Sequence, residues 1–255
     1  MRLPRRLRHT EEATLVEHLD ELRTRLVIIL LTLAAGFVVA FVFHDHLIDW
    51  LNQALPEDNP KPVTLGVTEP FVTSIKVSLY AGFALALPVI LWQLWSFLAP
   101  AIEEHAQRVV AAFVALATGL FAGGLAFAYW LVLPAAVHFL TNYDENLYTI
   151  QVRASYYYSF AAFMLVAIAL VFELPIFVLA LVRLGVLTTA TLRRNRRIGY
   201  VVMVVIAIAL PTIDPVSLLF EAVPLVLLYE LSIWLAVLME RRWQRSSATG
   251  LAPVP

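Results

Sequence analysis

The chain has no cysteine among its 255 residues, and only 15% of it is Asp, Glu, Lys or Arg. The first absence removes disulfides, thiolate nucleophiles and cysteine-ligated metals, and it leaves the redox compartment unread. The second stands beside 61% hydrophobic residues and a mean hydropathy of +0.80. A soluble domain is roughly half apolar and roughly a quarter charged, so this is a polytopic membrane protein. Histidine is missing where membrane catalysis would need it. His9, His18, His44, His46, His105 and His138 all avoid the middle of the apolar runs. An intramembrane serine protease needs a Ser–His pair at depth, and a metalloprotease needs helically spaced His ligands. His44 and His46 flank Asp45 at an interface and read as solvated, so no metal is expected. Phosphate-binding glycine loops and dinucleotide fingerprints are also absent, so no cofactor is expected and the chain does not read as an enzyme. Nothing calls for nucleic acid. The run 26–43 is too long for a signal core and lacks a small-residue cleavage site, so no cleavable signal is expected.

Apolar runs, by contrast, are plentiful. Six stretches read as membrane spans, at about 26–43, 77–98, 109–133, 159–182, 198–213 and 218–239. Between the first two, Leu47, Ile48, Leu51, Ala54 and Leu55 have helical spacing with Trp50 nearby, which predicts a short interfacial helix. Pro56, Pro60, Pro62 and Pro70 then break the chain up. Prolines 88, 175, 211 and 224 fall in four of the spans and predict bent helices. The fifth span is short, so the expected fold is an all-α bundle with a concave wall beside locally thin bilayer. Gly119, Gly123 and Gly124 predict close helix contact in the third span. The tail 240–255 is basic, then small and proline-containing, and reads as disordered.

Lys and Arg are segregated. The sections 1–25, 99–108, 183–197 and 240–255 hold fifteen of them, whereas 44–76, 134–158 and 214–217 hold three. That bias places both termini in the cytoplasm. The segment 14–25, TLVEHLDELRTR, is therefore cytoplasmic. Thr14 and Glu17 fit a capping box. Leu15, Leu19, Leu22 and Leu26 form one helical stripe, with Glu17, Asp20, Glu21 and Thr24 opposite and directed outward. Glu21 and Arg25 are spaced i,i+4, and Asp20 and Arg23 i,i+3, so local pairing explains these acids as well as ligand binding does.

Deeper in the chain, Glu173 is the residue that most needs explaining. It sits near the middle of the fourth span, where an ionised acid costs roughly 2.5–3.5 kcal/mol or more. Pro175 leaves the Val171 carbonyl without its helical donor nearby. A neutral Glu bonded to that neighbourhood and a polar contact for a substrate or partner helix both fit. Glu221 and Glu230 lie nearer the ends of the last span and are equally open.

Several motifs in this chain resemble one family, the receptor subunit of the twin-arginine protein translocase, TatC. HLDELRTRL (18–26) is similar to its N-terminal signature and VTEPF (67–71) to its first periplasmic loop. LPVILWQLWSFLAPAI (87–102), VFELP (171–175) and the stretch around Asp214 follow in the family's order. The resemblance implies a bacterial cytoplasmic-membrane protein that binds twin-arginine signal peptides. It also implies small single-span partners of the TatA and TatB type, homo-oligomers within a larger complex, and folded cargo moved by the proton gradient. By motif position, Glu21 would meet the arginine pair, with Arg23 beside it and Phe97 contributing from the first cytoplasmic loop. Glu173 would be the family's membrane-embedded polar residue and Asp214 its last-turn acid. One departure is plain: Ala106 follows His105 where the family has a second glutamate, so Glu103, or after it Glu104, is the expected substitute. Leu218 likewise replaces a polar position. The alternative is a proton-coupled small-solute transporter using Glu173.

Overall fold

The computed structural model describes residues 15–56, 61–98, 106–144, 146–148, 150–183, 185–210 and 214–249, and every regular element among them is helical. Helix is the form that satisfies each backbone N–H and C=O within its own segment where no water is available. α1 (Leu15–Val42) carries the amphipathic segment and the first apolar run as one helix. α2 (His44–Asn52) is the short interfacial helix. α3 (Glu69–Leu98) starts well ahead of the expected residue 77. Pro70 does not break it, because in a first turn the missing N–H has no helical acceptor to lose.

α4 (Ala106–Phe127), a π-helical turn (Ala128–Val132) and α5 (Leu133–Asn142) run on past the expected end at 133. Pro134 withholds its donor from the Trp130 carbonyl, and the wider π turn lies at that place. α6 (Ala154–Val171) and α7 (Leu174–Arg183) are parted at Phe172 and Glu173. There the Ile176 and Phe177 amides both turn to the Glu173 carbonyl at 3.1 Å, the break that Pro175 predicts. α8 (Thr189–Arg194) is capped by Thr188 Oγ1, which accepts from the Thr191 amide at 3.2 Å.

α9 (Arg196–Ala209) has 14 residues, a rise of about 21 Å, and is the element expected as the short fifth span. Pro211 lies outside the described residues. α10 (Pro215–Thr249) continues through Pro224 and on past 239, into the stretch expected to be disordered. No Gly or Pro occurs between Pro224 and Gly250, so nothing in that stretch stops the helix. Among the described residues five helical stretches are long and apolar enough to cross a membrane: Leu19–Val42, Glu69–Phe97, Val110–Asn142, Ala154–Arg183 and Pro215–Glu240.

The core divides along the length of α3. Near its start, Val77 packs with Leu51, Tyr129, Leu133, Tyr157 and Met164. Near its end, Trp95 packs with Phe113, Ile176, Leu179 and Ala236. In the first cluster three tyrosines clasp the end of α2. Tyr129 donates to the Trp50 carbonyl at 2.8 Å, Tyr157 to the Leu51 carbonyl at 2.6 Å and Tyr158 to Asn52 Oδ1 at 2.6 Å. The first two carbonyls also accept the Gln53 and Ala54 amides at 3.2 Å, so each tyrosine adds a second donor at the helix end, and the Tyr129 ring stacks on Trp50 at 3.8 Å. Tyr156, expected with its neighbours at the interface, is exposed while they are buried. Tyr157→Phe therefore lowers the melting temperature of the purified protein by a few degrees, as the loss of about 1 kcal/mol requires, and Tyr156→Phe leaves it unchanged.

α1 touches the bundle along a narrow seam. Only 6% of its apolar window is buried, and its principal neighbour is α3. A Cβ on Gly36 would lie 2.5 Å from the Gly82 carbonyl oxygen, and one on Gly82 would lie 2.6 Å from the Phe37 amide. The two backbones cross in contact there, as small residues permit in membranes. Of the three glycines expected to do this in the third span, Gly124 does, since its Cβ would meet Ala169 Cα at 2.8 Å. Gly119 and Gly123 have nothing within 4 Å and face outward.

Candidate functional site

From the Gly36–Gly82 crossing, α1 and α3 run antiparallel toward the end of the molecule that holds Glu21. Arg25 and Gln93 are displaced from that pair by the same number of residues along each helix, so they meet in register. The face that turns to α3 is the polar one. Leu19, Leu22 and Leu26 are exposed, whereas Glu21, Thr24 and Arg25 are half-buried, which reverses the outward placing of Glu21 expected from the stripe. The reason is the α3 C-terminus, whose last carbonyls lack helical donors and attract a cation.

Arg25 supplies that cation. Its Nε donates to Glu21 Oε1 at 2.9 Å, and Nη2 reaches the same oxygen. Nη1 donates to the Gln93 carbonyl at 3.3 Å and to Gln93 Oε1 at 3.2 Å. Nη2 also reaches the Ser96 carbonyl at 3.3 Å, and Cζ lies 6.0 Å from the centre of the Phe97 ring. One carboxylate, three further oxygens from the end of α3 and an aromatic face thus converge on a planar guanidinium. The Glu21 side chain is 29% exposed, so the site opens to solvent.

The sequence-derived candidates divide around this cluster. Glu21 and Phe97 are brought together by Arg25, while Arg23 and Asp20 stay exposed on α1. Glu103, Glu104 and Thr14 lie outside the described residues, and Ala106 opens α4. Glu173 sits at the α6–α7 break, buried to 8% exposure, and its Oε1 meets no hydrogen-bond donor. Asp214 precedes α10 and caps it, Oδ1 accepting from the Ser217 amide at 2.7 Å, while Oδ2 is buried without a donor. Asp214 is therefore tied to holding the start of α10 whatever else it does. Glu221 is buried on the same helix, and Glu230 accepts from Tyr200 and pairs with Arg196 at 3.4 Å. Among the described residues no group of three or more His, Asp or Glu could hold a metal.

At the opposite end lies a constellation that sequence reasoning passed over. Glu69, the first residue of α3, accepts from the Leu65 amide at 2.9 Å and the Gly66 amide at 3.2 Å. Its other oxygen takes the Ser155 amide at 3.0 Å, and Arg153 closes on both oxygens at 3.1 and 3.3 Å. Alongside, Val63 and Arg153 form an isolated parallel bridge. In the sequence Pro70 reads as a breaker rather than as part of a first helical turn, and nothing local names Arg153 as the partner of the acid ahead of it.

Residues 17–224 match the family model described as Sec-independent protein translocase protein (TatC). The chain belongs to the TatC family. The TatC of Aquifex aeolicus is 39% identical over 236 residues, covering 89% of this chain and 96% of its own. That of Carboxydothermus hydrogenoformans is 34% identical over 224 residues, covering 88% and 92%. A crystal structure of the twin-arginine translocase receptor TatC in detergent superposes with a TM-score of 0.76 at 36% identity, covering 86% of this chain and 99% of that one. Glu21, Gln93, Ser96 and Phe97 converge on Arg25 within the stretch that the family model covers.

Proposed function

We propose that this TatC-family chain is the receptor and core subunit of a twin-arginine translocase. It binds the paired arginines of signal peptides at the Glu21 end and assembles with single-span subunits of the TatA and TatB type. The observation that carries the reading is the oxygen cluster at Glu21, which already holds a guanidinium between a carboxylate and the end of a helix beside Phe97. A planar five-donor fork fits such acceptors; the point charge of a lysine does not. The charge bias supports a cytoplasmic position for this end, with both termini on that side and α9 as the fifth of six spans, and membership of the TatC family supports a bacterial inner membrane. Glu103 or Glu104 serves as the second acid for the arginine pair. Glu173, about two-thirds along the α6–α7 span, offers a polar contact within the membrane, and Asp214 supports the last turn. Partner helices have apolar surface to meet, including a shallow hollow of about 270 Å³ on α10 lined by Ala222, Val223, Val226 and Leu227. Several copies work together within the complex, and the proton gradient drives transport.

The test uses a photo-crosslinking residue at exposed Leu22, beside Glu21, or at exposed Phe71, at the far end of α3. A radiolabelled signal peptide with two adjacent arginines attaches at Leu22 and not at Phe71. Attachment at neither position, or equally at both, removes the assignment.

A further inference from the structure

The guanidinium at Glu21 belongs to the protein itself. We infer that Arg25 is an internal occupant of the arginine site, so that an arriving signal peptide binds by displacing it from Glu21; this rests on the receptor reading above.

Charge is the first argument. Two arginines bring two positive charges to a carboxylate whose charge Arg25 already balances, with Nε and Nη2 both on Oε1. While Arg25 stays in place, the arriving pair meets a third cation at contact distance and gains little from Glu21. Geometry is the second. Arg25 engages four of the oxygens that a ligand guanidinium would use beside Phe97: Glu21 Oε1, the Gln93 carbonyl, Gln93 Oε1 and the Ser96 carbonyl. Like replaces like, and an incoming fork restores the same set of bonds.

The third argument is that Arg25 is held loosely enough to leave. Three of its bonds, to Gln93 and Ser96, are 3.2–3.3 Å long, at the weak end of N–H···O distances. Its pairing with Glu21 is an i,i+4 contact on a solvent-reached helix, the weakest class of ion pair. The α1–α3 seam does not depend on Arg25, because the Gly36–Gly82 crossing fixes it independently. The empty receptor thus keeps its acid neutralised and its helix end capped. A ligand must outbid Arg25, which sets a threshold against single stray cations.

The experiment measures binding of a fluorescent peptide with two adjacent arginines to the full chain in nanodiscs, together with a peptide bearing two lysines. Arg25→Gln binds the arginine peptide about twofold more tightly than the unaltered protein, the effect of an i,i+4 ion pair removed. The lysine peptide gains by the same factor, because the same occupant has been taken away from both. Arg25→Lys, a milder change that keeps the charge and loses the fork, lies between the two. Weaker binding by both variants, with the preference for arginine over lysine collapsing, makes Arg25 a positioning residue for Glu21 and overturns the inference. Unchanged affinities overturn it as well. Glu21→Gln separates this result from the receptor reading. If Glu21→Gln binds as well as the unaltered protein does, the site itself is misplaced, whatever the Arg25 variants show.

Discussion

Glu21→Gln abolishes most export of a reporter carrying a paired-arginine signal while leaving the protein folded and in the membrane. Charge-assisted hydrogen bonds contribute about 1.5–3 kcal/mol each, and each 1.4 kcal/mol is about tenfold in affinity. Loss of one such bond from the receptor therefore leaves roughly a tenth or less of the binding. Stability barely moves, because the pair removed is an i,i+4 contact that contributes about 0.5 kcal/mol or less. Glu103→Gln has a smaller effect, and the double variant is worse than either, since two arginines need two acids. Export at the normal level in both single variants and the double would remove the assignment of these acids. Raised salt mimics the loss in part, because the site is open to solvent and screened by ions.

What the sequence made legible here is instructive in its unevenness. Periodicity, composition and the arginine bias place nearly all the helices, and the Pro175 break falls where its missing donor predicts. Helix ends were harder, because Pro70 and Pro134 look like terminators and are not. One lies in a first turn, where its N–H is not needed, and the other follows a π turn. Glu21 was readable as a candidate, but its direction was not. The leucine stripe suggested that it faced out, and only the end of a helix some seventy residues on, with Gln93 and Ser96, turns it inward. Gln93 itself carries no local signal, since a glutamine near a helix end is ordinary until something meets it. Contacts that depend on where two distant helices cross stay hidden until the crossing is known. The Gly36–Gly82 contact that sets this one is two unremarkable glycines in the chain.

The same principle, at the opposite end of α3, gives a large structural prediction. Glu69→Ala loosens the whole of that end, whereas Arg153→Ala does so only partly. Glu69 is where α3, α6 and the segment before α3 are tied to one carboxylate, through the amides of Leu65, Gly66 and Ser155. Ser155 lies in the first turn of α6, so Glu69 supplies the cap that Arg153, at the capping position, does not. Removing the acid leaves three amides and a guanidinium without their acceptor, so several charge-assisted bonds are lost together. Removing Arg153 leaves the carboxylate with all three amides, so the arrangement survives. Glu69→Ala lowers the melting temperature in detergent by at least about 5 °C, and Arg153→Ala by less than half of that. Hydrogen exchange at Leu65, Gly66 and Ser155 accelerates in the first variant and stays slow in the second. Equal losses would mean that the guanidinium, rather than the three amides, holds the carboxylate in place. The ends of α3 would then each depend on one arginine, Arg25 at one and Arg153 at the other. The asymmetry predicted here says otherwise. At the Glu69 end the backbone holds the acid and the arginine is auxiliary, while at the Glu21 end the arginine reaches from α1 to the end of α3 and is the group that moves.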